Sequence, residues 1–136
     1  MMEKAVWGDQ YSVGVKIIDD QHRHFVRSLN RAYQAFYNSS GSYELADLIS
    51  QIYNSAAEHF ATEEKHFAEF KYDKAEEHQA EHQQLLADVL QFRERLTIEG
   101  GSVIVDLVDF LEKWLAEHTL DHDRQYIDCF RQHGLS

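Results

Sequence analysis

The chain contains no proline in its 136 residues. Proline interrupts helices and marks turns and strand ends, so its absence favours long, uninterrupted helices. The turn signals that do occur are a Ser- and Gly-rich stretch at 38–42, a short break at 71–73 and a Gly-Gly turn at 99–102. After an N-terminal stretch, these turns divide the chain into four long segments.

Apolar residues in each of the four segments recur at steps of three and four, the period of an amphipathic helix. One pair from each segment illustrates the pattern: Phe25 and Leu29, Ile49 and Ile52, Leu85 and Val89, and Leu107 and Leu111. Because short connections force sequential helices to run antiparallel, the sequence predicts an all-α, up-down-up-down four-helix bundle. We expect one domain over 1–136, with an irregular N-terminal arm at 1–18, held by Trp7 packing on the body, and the bundle at 19–136.

Composition and charge exclude several classes of protein. With 24 acidic and 13 basic residues the formal net charge is -11, and so acidic a surface disfavours nucleic-acid binding. No apolar run approaches the roughly 20 residues of a membrane span, and the N-terminus lacks the apolar core of a secretory signal. The single cysteine, Cys129, excludes an internal disulfide and suits a reducing cytoplasm. We therefore expect a cytoplasmic protein without membrane insertion; the sequence identifies no protein partner.

Six polar residues occupy positions in register with the apolar stripes. They are His22, His59, Glu63, His78, His82 and His118. Burying six polar groups without partners would consume the whole stability of a typical domain, about 5–15 kcal/mol. In an antiparallel bundle all these positions fall toward the same end. A shared metal centre in the bundle core is therefore predicted.

Each of these residues also has a simpler interpretation when taken alone. A lone buried histidine is more often a hydrogen-bonded core residue than a ligand, and Glu63 could lie where a helix end meets solvent. The His78-x-x-x-His82 pair alone is weak evidence for a metal site. None of these alternatives predicts a common level on four helices. Imidazole suits zinc, copper and iron alike, but carboxylate-bridged di-iron centres are well known in helical bundles and use this many ligands.

In order and spacing, several motifs make the whole chain similar to one family. They are Trp7, Ser12-Val13-Gly14-Val15, Ile18-Asp19-Asp20-Gln21-His22, His59-Phe60-Ala61-Thr62-Glu63-Glu64, His78-x-x-x-His82 and Trp114-Leu115-x-x-His118-x-x-x-x-Asp123-x-x-Tyr126. The chain resembles the hemerythrin family, in its single-domain form. Each motif is modest alone, and their order and spacing are specific.

The resemblance implies a cofactor of two iron ions joined by an oxo or hydroxo bridge. It implies seven protein ligands: three histidines on one ion (His78, His82 and His118), two on the other (His22 and His59), and two bridging carboxylates (Glu63 and Asp123). The ion with two histidines keeps an open position. The implied function is reversible binding of dioxygen, for carriage, storage or sensing, by a protein that is not an enzyme.

Two other functions are compatible with these residues. A di-iron enzyme acting on peroxide or nitric oxide would use the same open position. A helical interaction or phosphotransfer module with one exposed histidine would bind no metal. Metal content, and reversal of the colour formed in air, would distinguish the three.

Four histidines and one aspartate lie where the stripes alone do not decide their role. Asp123 is five residues after His118, roughly 140° round an ideal helix, whereas His122 lies on the stripe. A π-bulge, frequent at functional sites, would bring Asp123 inward, so we follow the family spacing and keep His122 as the alternative. The other histidines are interpreted as surface residues: His24, His66 and His133.

Four apolar residues near the predicted ligands are expected to line a dry pocket for dioxygen. They are Phe25, Phe60, Trp114 and Leu115. The family resemblance also places Leu115 there. Ordinary core packing explains these residues equally well, so the pocket is a hypothesis.

Overall fold

The computed structural model describes residues 5–119 and 123–135. After a short 3-10 turn at Asp9–Tyr11, five helices follow in chain order: α1 (Lys16–Tyr37), α2 (Ser42–Phe70), α3 (Ala75–Glu99), α4 (Val103–His118) and α5 (Arg124–Gln132). No strand occurs among the described residues. The prediction of an all-α bundle is confirmed.

Helices α1 to α4 form the body of the bundle. Helix α1 packs against α2 and α4, and α3 packs against α2 and α4, as up-down-up-down order requires. The predicted fourth helix is instead two helices, because α4 ends at His118 and α5 begins at Arg124. The backbone at Thr119 and at Asp123 is π-helical, the widened geometry that the predicted bulge requires.

The N-terminal arm is shorter than predicted, since α1 begins at Lys16. Asp19 lies inside the first turn of α1, where its carboxylate accepts hydrogen bonds from the Ser12 hydroxyl at 2.7 Å and the Val13 amide at 2.8 Å. Asp19 therefore binds the arm to the first turn of α1, and the helix begins three residues before the predicted start at residue 19. Trp7 packs against the main core, as the sequence predicts.

The core consists of two apolar clusters. The larger runs through the bundle, and its stripe residues Leu29, Ile49, Val89 and Leu107 have 0% exposure. The smaller lies where the arm, α2 and α5 meet, and it includes the fully buried rings of Tyr126 and Phe130. Its members are Val13, Val15, Ile18, Phe67, Tyr126, Ile127 and Phe130. No described helix is long and apolar enough to cross a bilayer.

The interpretation of His66 as a surface residue is wrong. Its side chain is only 15% exposed and packs on the rings of Phe70 at 5.4 Å and Phe130 at 5.5 Å. The reason is that α5 contacts α2, which brings Phe130 over this part of α2. His24 and His133 are exposed, as predicted.

Candidate metal centre

The seven predicted ligands all have buried side chains. Their exposed fractions are at most 5%: His22, His59, Glu63, His78, His82, His118 and Asp123. One comes from α1, two from α2, two from α3 and one from α4, and Asp123 directly precedes α5. All four helices of the bundle therefore contribute buried polar side chains.

Six of these side chains form two groups of three. His22, His59 and Asp123 form one group, which we call the two-histidine group, and in it the three ligand atoms lie within 4.8 Å of one another. Glu63, His82 and His118 form the second group within the same distance limit. Because all six atoms are nitrogen or oxygen donors, each group can hold a cation.

Each carboxylate contacts both groups. Asp123 places Oδ2 3.1 Å from Nε2 of His22 and Oδ1 2.7 Å from Nε2 of His118. Glu63 places Oε1 2.8 Å from Nε2 of His59 and 3.9 Å from Nε2 of His118. The two acids therefore lie between the groups, as ligands shared by two cations would.

Hydrogen bonds behind the two-histidine group determine which ring nitrogen faces inward. The Nδ1 of His22 donates to the Tyr11 carbonyl at 2.6 Å, and the Nδ1 of His59 donates to Gln21 Oε1 at 2.8 Å. The amide of Gln21 is oriented by its own donation to the Thr62 hydroxyl at 2.9 Å. In a neutral imidazole with Nδ1 protonated, Nε2 carries the lone pair that binds a metal.

The inward nitrogens of this group face each other. The Nε2 atoms of His22 and His59 are 3.1 Å apart. Two lone pairs at this distance repel each other unless a proton or a cation lies between them. The geometry therefore favours a positively charged occupant at this point.

The second group is oriented differently. The Nδ1 of His82 lies 3.4 Å from Glu64 Oε2, and the Nδ1 of His118 lies 3.7 Å from Glu81 Oε2. Both acids are partly exposed, and the contacts are longer than those behind the two-histidine group. Phe60 and Trp114 provide the closer packing here, since their rings stack on the imidazoles of this group.

His78 lies beside the second group and outside both groups of three. Its ring centroid is 6.4 Å from those of His82 and His118, and it packs against Phe67 at 5.1 Å and Tyr72 at 5.6 Å. Burial lowers the pKa of His78, which keeps the ring neutral at neutral pH. Its role as a ligand stays a prediction.

The electrostatics of the centre favour anionic acids beside a neutral imidazole. Burial alone would raise the pKa of Glu63, but the imidazoles of His59 and His118 hold this pKa well below its usual range. Burial and the neighbouring Glu63 would raise the pKa of Asp123, and contact with His118 again lowers it. Burial lowers the pKa of His82 to about 4. Burial alone would lower the pKa of His22 and of His118, but the adjacent Asp123 carboxylate raises both. The acids and His82 are therefore in the states that cation binding requires, and a bound cation would replace the protons that His22 and His118 hold beside Asp123.

Comparison with known proteins identifies the family. The family model described as hemerythrin HHE cation binding domain matches residues 13–130. This chain belongs to the hemerythrin family. Hemerythrins bind dioxygen at a centre of two iron ions, and the chain is accordingly a di-iron oxygen-binding protein by family.

Similar proteins cover nearly the whole chain. A bacteriohemerythrin of Clostridium acetobutylicum is 31% identical over 127 residues, which are 90% of this chain and 98% of that protein. A bacteriohemerythrin of Pseudomonas aeruginosa is 28% identical over 135 residues, 99% of this chain and 86% of that protein. A crystal structure of wild-type hemerythrin superposes with a TM-score of 0.81 at 22% identity, over 93% of this chain and 97% of that one, and shows the same fold.

The residues present fit the two iron ions of a hemerythrin. Both carboxylate oxygens of Glu63, both of Asp123 and the Nε2 of His82 are buried and have no partner of good hydrogen-bond geometry in the described part of the chain. Unsatisfied buried acceptors on this scale are costly, and cations shared between them would compensate. No donor in the two groups is a thiolate, so the set of imidazoles and carboxylates suits iron.

Two of the four residues predicted to line a dioxygen pocket, Phe60 and Trp114, pack on imidazoles of this hemerythrin centre. Phe25, Phe60 and Leu115 are at most 4% exposed, and Trp114 is partly buried. The Phe60 ring stacks on His82 with centroids 3.9 Å apart and also contacts His59 at 5.8 Å. Trp114 stacks on a ligand candidate of the second group, His118, at 4.4 Å. The pocket itself stays a prediction.

Sequence reasoning assigned no role to the residues that orient the histidines. Gln21, Glu64 and Glu81 each adjoin a predicted ligand in the sequence, and that adjacency is a signal that can find them. The Tyr11 carbonyl carries no such signal, because any residue offers one. His122, the alternative to Asp123, lies outside the described residues.

Proposed function

We propose that this hemerythrin binds dioxygen reversibly, for oxygen carriage, storage or sensing in the cytoplasm. In the proposed site, His78, His82 and His118 hold one iron ion, His22 and His59 hold the other, and Glu63 and Asp123 bridge the two. The observation that carries this proposal is that both carboxylates contact both groups of buried imidazoles. A bridge of this kind requires two cations.

When bound, the iron pair supplies the two electrons that dioxygen takes up and returns. The protein keeps the ligands in place. Tyr11 and Gln21 hold His22 and His59 in the tautomer whose Nε2 faces the centre, so these rings need no reorientation on binding. The open position beside these two histidines is where dioxygen would bind.

Apolar side chains exclude water from the centre. Phe25, Phe60 and Leu115 are buried in the main core, next to the histidines in sequence or one helical turn away. An apolar wall of this kind stays dry and limits the supply of protons to the site. Slow proton entry favours release of dioxygen over irreversible oxidation.

Metal analysis with optical spectra under air and under argon tests the proposal. We expect two iron ions per chain and a colour that forms in air and disappears under argon. Steady consumption of peroxide or nitric oxide with a reductant, without reversal, would support the enzymatic alternative. Purified protein without bound metal would contradict both.

A further inference from the structure

One face of α1 is positively charged in an otherwise acidic protein. Between Asp20 and Glu44 the sequence has no acidic residue, although the chain contains 24. Within this interval Arg23, Arg27 and Arg31 follow at steps of four, so they project from one side of the helix. All three are exposed. We call these three residues the arginine face.

Among the residues that the structure describes, one carboxylate contacts this face. Asp20 lies 3.2 Å from Arg23 but is shared with Lys16, which it contacts at 2.6 Å. In residues 5–119 and 123–135, no carboxylate lies within ion-pair distance of Arg27 or Arg31. Because the whole chain has a formal net charge of -11, a local positive face would orient an acidic partner toward this side of the protein.

The arginine face borders a cleft that the N-terminal arm forms with α1. The cleft has a volume of about 200 Å³ and is lined by Ala5, Trp7, Arg23, Val26, Arg27 and Asn30. Asn30 fixes the arm here through two hydrogen bonds with the backbone of Ala5, at 2.9 and 2.8 Å. The cleft is therefore a built part of the fold, with arginines on its helical side and Trp7 on its arm side.

A chain of contacts leads from the arginine face to the metal centre. The Arg23 guanidinium carbon lies 4.5 Å from the Trp7 ring centroid, and the Trp7 and Tyr11 rings are 6.0 Å apart. The Tyr11 carbonyl accepts the hydrogen bond from His22 Nδ1 at 2.6 Å. Electrons tunnel more efficiently through packed rings and hydrogen bonds than across a gap, so these contacts form a path between the surface and the centre.

We propose that the arginine face docks an acidic one-electron carrier protein, and that Trp7 and Tyr11 conduct its electrons to His22. This inference rests on the proposed function, because only a metal centre behind His22 can accept electrons. Two molecules of reduced carrier give one electron each, so that two ferric ions become ferrous. One proton from solvent converts the oxo bridge to a hydroxo bridge. The device returns oxidised protein to the form that binds dioxygen.

Docking is tested with a reduced, acidic [2Fe–2S] ferredoxin as the probe and iron-loaded ferric protein as the acceptor. For the triple variant Arg23→Gln, Arg27→Gln, Arg31→Gln we expect the second-order rate of reduction at low ionic strength to fall about tenfold or more. Affinity for oxidised ferredoxin, measured by calorimetry, should fall by about the same factor, since no electron moves in that experiment. Added salt should lower the rate of reduction of the parent protein and hardly change that of the variant.

A lysine variant with the same change of charge is the control. Lys65, Lys74 and Lys113 are exposed and lie outside the arginine face, on α2, before α3 and on α4. Changing all three to glutamine should leave ferredoxin affinity and reduction rate within about twofold of the parent. Equal losses in the arginine and lysine variants would overturn the proposal, because net charge alone would then explain them.

The electron path is tested separately from docking. Trp7→Leu removes the ring on which Arg23 packs but keeps all three arginines, so calorimetric affinity for ferredoxin should fall by less than about threefold, whereas reduction within the complex should slow about tenfold. An unchanged rate within the complex would overturn the role of Trp7. Purified protein without iron would contradict the proposed function itself, whereas iron-loaded protein that ferredoxin neither binds nor reduces would overturn only the docking inference.

Discussion

The two ligand groups are held in place by different means. In the two-histidine group, the Nδ1 of His22 donates to the Tyr11 carbonyl oxygen at 2.6 Å, and the Nδ1 of His59 donates to Gln21 Oε1 at 2.8 Å. In the second group, the Nδ1 of His82 lies 3.4 Å from Glu64 and the Nδ1 of His118 lies 3.7 Å from Glu81, and both carboxylates are partly exposed. Phe60 and Trp114 stack on these two imidazoles. Polar contacts therefore orient one group, and aromatic packing orients the other.

This difference follows from where the groups lie. The arm passes over the two-histidine group and supplies the Tyr11 backbone, so an acceptor is available beside His22. The second group lies between α2, α3 and α4, where Phe60 and Trp114 project from helices. A ring held by stacking keeps its plane but gains less control over its tautomer. The group with the predicted open position is thus the one with the more strictly oriented rings.

Removing Glu63, one of the two shared acids, should have the largest effect. Because Glu63 contacts both groups and is fully buried, we expect Glu63→Ala to lose both iron ions, as measured by metal analysis after purification. Glu58→Ala, at an exposed position on the same helix, is the matched control and should keep both. Retention of both ions in Glu63→Ala would mean that this acid is no bridge.

Removing one histidine should separate the groups. We expect His59→Ala to lose the iron ion of the two-histidine group first, giving about one iron per chain. The second group contains no atom of His59 and should retain its ion. His24→Ala, an exposed change on α1, should leave the iron content at the parent value. Iron content unaltered by His59→Ala would contradict the ligand assignment.

Removing an orienting hydrogen bond tests the contrast between the groups. Gln21→Leu deletes the acceptor for His59 Nδ1, and we expect iron affinity at the two-histidine group to fall about 10–100-fold. Gln21→Glu keeps an acceptor and should restore most of the affinity. Competition with a ferrous chelator measures both values.

The matching change behind the second group should matter less. Glu64→Gln leaves an acceptor near His82, whose ring also stacks on Phe60, so we expect a change in iron affinity below about threefold. If Glu64→Gln weakened iron binding as much as Gln21→Leu, the two groups would be held alike and the contrast would fail.

The sequence predicts the bundle and the depth of its buried ligands because both depend on helical period. Leu29 and Ile49 show the apolar stripe, and His59 and Glu63 show the polar positions within it. The division of the last segment at His118 depends on local widening of the backbone. The apolar stripe does not predict this widening directly; the five-residue spacing of His118 and Asp123 only suggests it. Orientation by the Tyr11 carbonyl was beyond sequence reasoning, because it depends on the path of the arm and not on the identity of a side chain.

The burial of His66 teaches the same lesson on a smaller scale. His66 lies off the apolar stripe of α2, so the stripe alone predicts an exposed side chain. Packing of Phe130 from α5 covers it, and α5 begins only beyond the division at His118. Errors of this kind arise where a short helix closes over the end of a bundle.

A change on the apolar side of the centre should have the smallest effect on iron content. Leu115 is 1% exposed in the main core, and Leu115→Ser would bring a hydroxyl and access for water next to the imidazoles. We expect iron content to stay at the parent value and the oxygenated form to oxidise faster by a factor of a few, followed by its optical spectrum in air. Leu111→Ser, one turn earlier on α4 and equally buried, controls for loosening of the core. Equal oxidation rates in Leu115→Ser and the parent would remove Leu115 from the barrier to water, whereas faster oxidation in both serine variants would assign the effect to general destabilisation. Faster oxidation in Leu115→Ser alone would mean that exclusion of water from the centre depends on this side chain, and that the hydrogen bonds that orient His22 and His59 cannot replace it.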